Sequence, residues 1–260
     1  MKEMGLQAFR FSISWSRIYP DGTGEINQAG IDFYSKLVDE LLANGIRPYA
    51  TLYHWDLPQA LQLKGGWLNR EIADWFASYA ETMATSLGDR VKDWITFNEP
   101  QIFLGFGYSD GTHAPGLTLP HEETFHTVHN VNLAHGRATK KIRSIVENSQ
   151  VGIAIATKIG IPADENDPAH IEAARKATIH PEWTDDHRTY LNNAWWPDPM
   201  IHGRYPKELE KNLPGFVDQF PATDMEEICQ PLDFFGYNYY FGAIVEPSNN
   251  EQGWQALPDK

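Results

Sequence analysis

A chain of 260 residues with 42% hydrophobic content is long enough for one large α/β domain and carries a real core. Its formal charge of −14 argues against nucleic acid and anionic membranes as partners and suits a protein that handles neutral ligands. One cysteine, Cys229, excludes an internal disulfide and is expected to be a buried spectator; no stretch is apolar for long enough to span a bilayer, and Met-Lys-Glu-Met-Gly-Leu at the N-terminus lacks the apolar core of a signal peptide, so a cytoplasmic location is expected.

In chain order, Ala8 to Ser14 reads as a strand. Ile31, Tyr34, Leu37, Val38, Leu41 and Leu42 have helical spacing, and Asn44-Gly45 closes that helix. Ile46 to Tyr53 is a second strand, Ile72 to Leu87 a second helix with Gly88 just past its end, and Val91 to Asn98 a third strand. His121 to Asn148 reads as one long helix, Val151 to Thr157 as a strand, Pro168 to Tyr190 as a helix, and Leu232 to Val245 as a strand or a pair of strand segments. This alternation predicts βα units and a parallel sheet, which a barrel or a doubly wound open sheet would satisfy. Gly105, Gly107 and Gly111 miss the dinucleotide spacing and do not open a helix, which disfavours the doubly wound form.

Three strand ends carry polar and aromatic clusters: Thr51-Leu52-Tyr53-His54-Trp55-Asp56-Leu57-Pro58, Asn98-Glu99-Pro100 and Gly236-Tyr237-Asn238-Tyr239-Tyr240. In a parallel barrel all C-terminal strand ends face one mouth, so these clusters converge there. Carboxylate, amide, imidazole, phenol and indole together suit a neutral polyhydroxylated substrate. Asp56 reads better as support for a turn than as a chemical group. The nine tryptophans read equally as a large core and as platforms for pyranose rings. His121, His126, His129 and His135 share one predicted helix, but the zinc-protease spacing is absent, so surface or cap histidines are expected rather than a metal site. No serine-centred nucleophile elbow is present.

The stretches Phe9-Arg10-Phe11-Ser12-Ile13-Ser14-Trp15, Thr51 to Pro58, Thr96-Phe97-Asn98-Glu99-Pro100 and Asn238-Tyr239-Tyr240 resemble those of glycoside hydrolase family 1, the β-glucosidase family. Gly65-Gly66-Trp67, His113-Ala114-Pro115-Gly116 and Asp198-Pro199 are similar to it as well, and the resemblance covers nearly the whole chain. It implies a (β/α)8 TIM barrel and retaining hydrolysis of β-glycosides; no calcium or nucleotide motif is present, so no cofactor is expected. It also implies a role for each matching residue. Glu99 would be the general acid/base, and Asn98 would bind the sugar 2-hydroxyl. His54 and Trp55 would hold the 3-hydroxyl side. Arg10 and Tyr240 would support the nucleophile, with Asn238 nearby.

The matching strands correspond to the family's second through sixth, so residues 1–260 are expected to form a single partial barrel of a member truncated at both ends. The family's nucleophilic glutamate lies in an Ile/Val-Thr-Glu-Asn-Gly segment, and this sequence contains none. Retaining chemistry needs two carboxyl groups roughly 5 to 5.5 Å apart. The expectation is therefore a β-glucosidase-type retaining hydrolase of terminal β-D-glycosidic bonds that is inactive as an isolated chain; the competing readings are a non-catalytic sugar-binding module and a purely structural fragment. Open strand edges are expected to drive self-association or pairing with a complementary fragment.

Overall fold

The computed structural model describes residues 1–258. Its strands are β1 (Ala8–Ser12), β2 (Arg47–Tyr53), β3 (Asp93–Asn98), β4 (Gln150–Ala156), β5 (Gly160–Pro162), β6 (Phe234–Asn238), β7 (Ala243–Pro247) and β8 (Trp254–Ala256). Five of them form one sheet in the order β1-β2-β3-β4-β6, and every neighbouring pair is parallel. Parallel neighbours need crossovers, and the helices Gln28–Ala43, Ile72–Leu87 and His121–Ile145 supply the first three. The sheet is curled: Tyr49 on β2 and Phe234 on β6 are separated by two intervening strands, yet their ring centroids lie 6.4 Å apart. This is a partial (β/α)8 barrel.

The helices form because their apolar residues repeat on one face. In Gln28–Ala43 the buried residues Ile31, Tyr34, Val38 and Leu41 point at the sheet, whereas Leu42 is exposed. Gly45, at φ 70°, turns the chain out of that helix into β2. Between sheet and helices lies one large core containing Trp15, Trp67, Trp94, Trp195 and Trp196, all fully buried. Most of the tryptophans are thus core residues rather than exposed platforms. A smaller cluster of Ala173, Ala174, Ala177, Val245 and Trp254 sits beneath a second sheet of β5, β7 and β8.

Several expectations are corrected. The helix that begins at Pro168 ends at Ile179 rather than Tyr190, because Pro181 disfavours helical geometry at His180. Of the two readings of Leu232 to Val245, the pair of segments holds, as β6 and β7, and the two belong to different sheets. His129 and His135 are not surface histidines: both are fully buried, because the helix His121–Ile145 is packed against Ile72–Leu87 on one side and Thr223–Ile228 on another. Cys229 is half-buried, with Sγ 3.6 Å from the carbonyl oxygen of Ile201. Among the described residues no helix is long and apolar enough to cross a membrane, and no cluster of three or more His, Cys, Asp or Glu is placed to hold a metal ion.

Candidate active site

At the end of β3, Asn98 is followed by Glu99 at φ 48°, ψ 63°, a left-handed conformation rare for glutamate. Pro100 then starts the short helix Pro100–Leu104, where its fixed φ suits the first helical position. The Glu99 amide donates to the carbonyl oxygen of Ala154 on β4 at 2.7 Å, which fixes the corner. Gln101 is fully buried and bonds both the carbonyl and the amide of Ala156, at 2.8 and 3.3 Å, clamping the helix start to the end of β4. Nothing in the sequence singled out Gln101, because its role depends on a strand fifty residues away.

Four strands converge on the Asn98 side chain. Arg10 on β1 donates from Nη2 to Asn98 Oδ1 at 2.5 Å, from Nε to Thr51 Oγ1 at 2.9 Å and from Nη1 to Asn238 Oδ1 at 3.2 Å. Asn238 on β6 donates from Nδ2 to Asn98 Oδ1 at 2.9 Å and to Glu99 Oε1 at 2.8 Å. Asn98 Oδ1 therefore accepts twice, which leaves Nδ2 as the donor toward His54 Nε2 at 3.1 Å. His54 must then accept at Nε2 and carry its proton on Nδ1. Its electrostatics agree: burial and the charge of Arg10 lower the His54 pKa, outweighing Glu99 and Asp56, and so favour the neutral ring.

Trp55, at φ 79°, donates its indole N–H to the Asn98 carbonyl oxygen at 2.9 Å, so both faces of Asn98 are held. Desolvation lowers the Arg10 pKa, opposed by Glu99 and Tyr240, although the residue as a whole remains exposed on the open concave side. Burial raises the Asp56 carboxyl, against hydrogen bonds from Ser14 and nearby backbone amides.

Of the residues expected at the site, Arg10, His54, Trp55, Asn98, Glu99 and Asn238 are brought into this one network. Tyr240 is not part of it: it is 78% exposed and stands instead on the wall of an adjoining cavity of about 510 Å³. That cavity also touches Trp55, Glu99, Asn238, Ile102, Leu191 and Phe241. The last three, on the short helix Pro100–Leu104, on the helical turn His187–Leu191 and in the loop after β6, went unnoticed in the sequence because isolated apolar residues in short elements carry no distinguishing pattern. Glu99 is 6% exposed and borders this cavity, so one carboxyl group faces a space large enough for a small organic ligand. An ordered amide pair beside it offers both a donor and an acceptor to hydroxyl groups.

Comparison with known proteins identifies the family. The family model for glycosyl hydrolase family 1 matches residues 1–257. The chain is 40% identical over 274 residues to the 1,4-beta-D-glucan glucohydrolase of Thermotoga neapolitana, covering all of this chain and 62% of that protein. It is 43% identical over 246 residues to beta-glucosidase A of Thermotoga maritima, covering 95% of this chain and 52% of that protein. The solved structure of the Thermotoga maritima β-glucosidase in complex with deoxynojirimycin superposes with a TM-score of 0.82 at 40% identity, covering 100% of this chain and 56% of that one. The chain thus spans between about half and three-fifths of the length of the relatives it matches. With a family match along nearly its whole length, the chain belongs to glycosyl hydrolase family 1.

Proposed function

We propose that this chain carries the sugar-binding and acid/base part of a retaining β-glucosidase site. The observation that carries the reading is the hydrogen-bonded set of Arg10, His54, Asn98, Asn238 and Glu99 at one mouth of the barrel. In this reading Glu99 gives its proton to the leaving glycosidic oxygen and takes one from water in the second step. Asn98 binds the sugar 2-hydroxyl, while His54 and Trp55 hold the 3-hydroxyl side. Arg10, Asn238 and the exposed Tyr240 flank the place where a nucleophilic carboxylate attacks. The names of the relatives and the inhibitor held by the Thermotoga maritima enzyme support a glucoside as the ligand.

Acid/base chemistry alone does not complete retaining hydrolysis. The sequence has no Thr-Glu-Asn-Gly segment, so we propose that the isolated chain binds glycosides without turning them over. Calorimetry should detect deoxynojirimycin binding that Asn98→Ala weakens, and 4-nitrophenyl β-glucoside should release no nitrophenol. Nitrophenol release that Glu99→Gln abolishes would overturn the inactivity, and absence of any Asn98-dependent binding would overturn the site.

The open strands support self-association as well. Tyr237 on β6 and Phe241 just past it are 61% and 81% exposed, and β6 is an outermost strand with a neighbour on one side only. Analytical sedimentation should show dimers or larger species; a stable monomer would contradict this.

A further inference from the structure

Strand β3 departs from regular alternation immediately before the site. It pairs with β4 as Ile95 with Gly152 and next as Asn98 with Ala154, so three steps along β3 match two along β4. The extra residue lets Thr96 and Phe97 both face the helical layer. Thr96 meets His135 on the helix His121–Ile145, and Phe97 stacks on Phe76 of Ile72–Leu87 with ring centroids 4.5 Å apart. In an unbroken strand, residues 96 and 98 share a face, and Asn98 would point at the helices. The irregularity is what returns Asn98 to the concave side, where Arg10 and Asn238 hold it.

Such a bulge weakens the strand ladder, and a side-chain relay stands beside it. Thr96 Oγ1 lies 2.7 Å from His135 Nδ1 and 3.4 Å from the carbonyl oxygen of Gly152, the β4 residue at which the register shifts. Thr96 and His135 are both fully buried. Burial, with the charge of Arg143 adding to it, pushes the His135 pKa down to about 3, so the ring is neutral and bears one proton. Its Nε2 has no hydrogen-bond partner among the described residues. A buried N–H without an acceptor is the rarer defect, which places the proton on Nδ1. His135 then donates to Thr96, and the threonine hydroxyl is free to donate across the bulge to Gly152.

We propose that His135 is a positioning residue for this site: acting through Thr96, it pins the bulge that turns Asn98 and Glu99 toward the barrel mouth. The link from positioning to sugar binding rests on the function proposed above.

The test uses Thr96→Val, which removes the hydroxyl at nearly constant shape, His135→Leu, and His135→Asn, whose amide can replace Nδ1. Thr139→Val is the control, since Thr139 is fully buried on the same helix and its hydroxyl is unpartnered. Two quantities are read in the full chain: hydrogen-exchange protection of the Glu99 amide, which forms the bond to Ala154 just past the bulge, and the Kd for deoxynojirimycin. Thr96→Val and His135→Leu should each lower protection and weaken binding by roughly tenfold, with His135→Asn restoring much of both and Thr139→Val changing neither. Wild-type protection at Glu99 in Thr96→Val overturns the proposal. If the unaltered chain binds no deoxynojirimycin while Thr96→Val still loses protection, positioning stands and the sugar-binding reading falls.

Discussion

Arg10 and Asn238 sit on the two outermost strands of the sheet, and their side chains meet at 3.2 Å. Laid flat, four strand spacings would hold β1 and β6 roughly 19 Å apart. Curvature closes most of that gap, and a long guanidinium bridges the rest. The same guanidinium contacts Thr51 and Asn98, so one side chain ties the ends of four strands together.

Replacing this bridge should cost the site more than the fold. Arg10→Met keeps a long apolar stem and removes three charged hydrogen bonds. Each such bond contributes about 1.5–3 kcal/mol when its partner is otherwise left unsatisfied. Here the open concave side lets water replace part of that. We expect deoxynojirimycin affinity to fall roughly tenfold to a hundredfold, measured by calorimetry. An unchanged Kd would show that Asn98 and Asn238 hold their orientation without Arg10.

The left-handed backbone at Glu99 makes a second expectation. A residue with a Cβ pays about 1 kcal/mol there relative to glycine, the reverse of the order in a helix interior. Glu99→Gly and Glu99→Ala both delete the carboxylate and its bond to Asn238, so their difference isolates the backbone. Glu99→Gly should be the more stable by about 1 kcal/mol in urea unfolding. If alanine is the more stable, Glu99 is not held in a strained conformation.

The strand ends were legible because parallel sheets put ligand groups there, and the sequence breaks its apolar runs at Asn98-Glu99 and Asn238. Ile72–Leu87 was legible to the residue, since its apolar face is continuous and Gly88 follows it. The bulge at Thr96-Phe97 was not, because it exists only relative to β4, which lies more than fifty residues on. The burial of His129 and His135 was hidden for a similar reason. The helix His121–Ile145 reads as polar; His129 is covered by Tyr205 and Asp224, which arrive much later in the chain, and His135 faces Thr96 on β3. Tyr240 lies past the end of β6 in an irregular connection whose course no periodicity encodes.

Buried neutral histidines make stability depend on pH in a definite direction. The His135 pKa falls from 6.5 to about 3 on folding, so between those values the unfolded chain binds a proton that the folded chain refuses. Its contribution is complete above pH 6.5 and is lost as pH drops toward 3, at up to about 1.4 kcal/mol per pH unit. His129 is lowered to about 4, again by burial, and Asp224 opposes the shift. Urea unfolding between pH 7 and 5 should show a steeper loss for the unaltered chain than for His135→Asn. Parallel curves would mean that His135 takes up its proton in the folded state.

The last expectation concerns the layer behind the barrel. Asp224 is 1% exposed and receives a guanidinium fork from Arg70 at 2.5 and 2.6 Å, with His129 Nε2 at 2.8 Å. Its hydrogen bonds outweigh burial, which alone would raise the pKa, and hold the carboxyl below its ordinary value. His129 reaches on through Nδ1 to the Tyr205 hydroxyl at 3.1 Å and stacks on Phe220 at 3.7 Å, so one carboxylate organises three segments of chain. Breaking a fully buried pair costs about 3–5 kcal/mol, and the side chain of Arg70, 38% exposed, can recover part of that from water. Asp224→Ala should therefore destabilise the chain by about 2–3 kcal/mol in urea unfolding. Because the group lies on the helical side and not at the barrel mouth, the affinity for deoxynojirimycin should stay within roughly twofold where the variant is folded. A large loss of affinity at full folding would mean that this network, too, reaches Asn98.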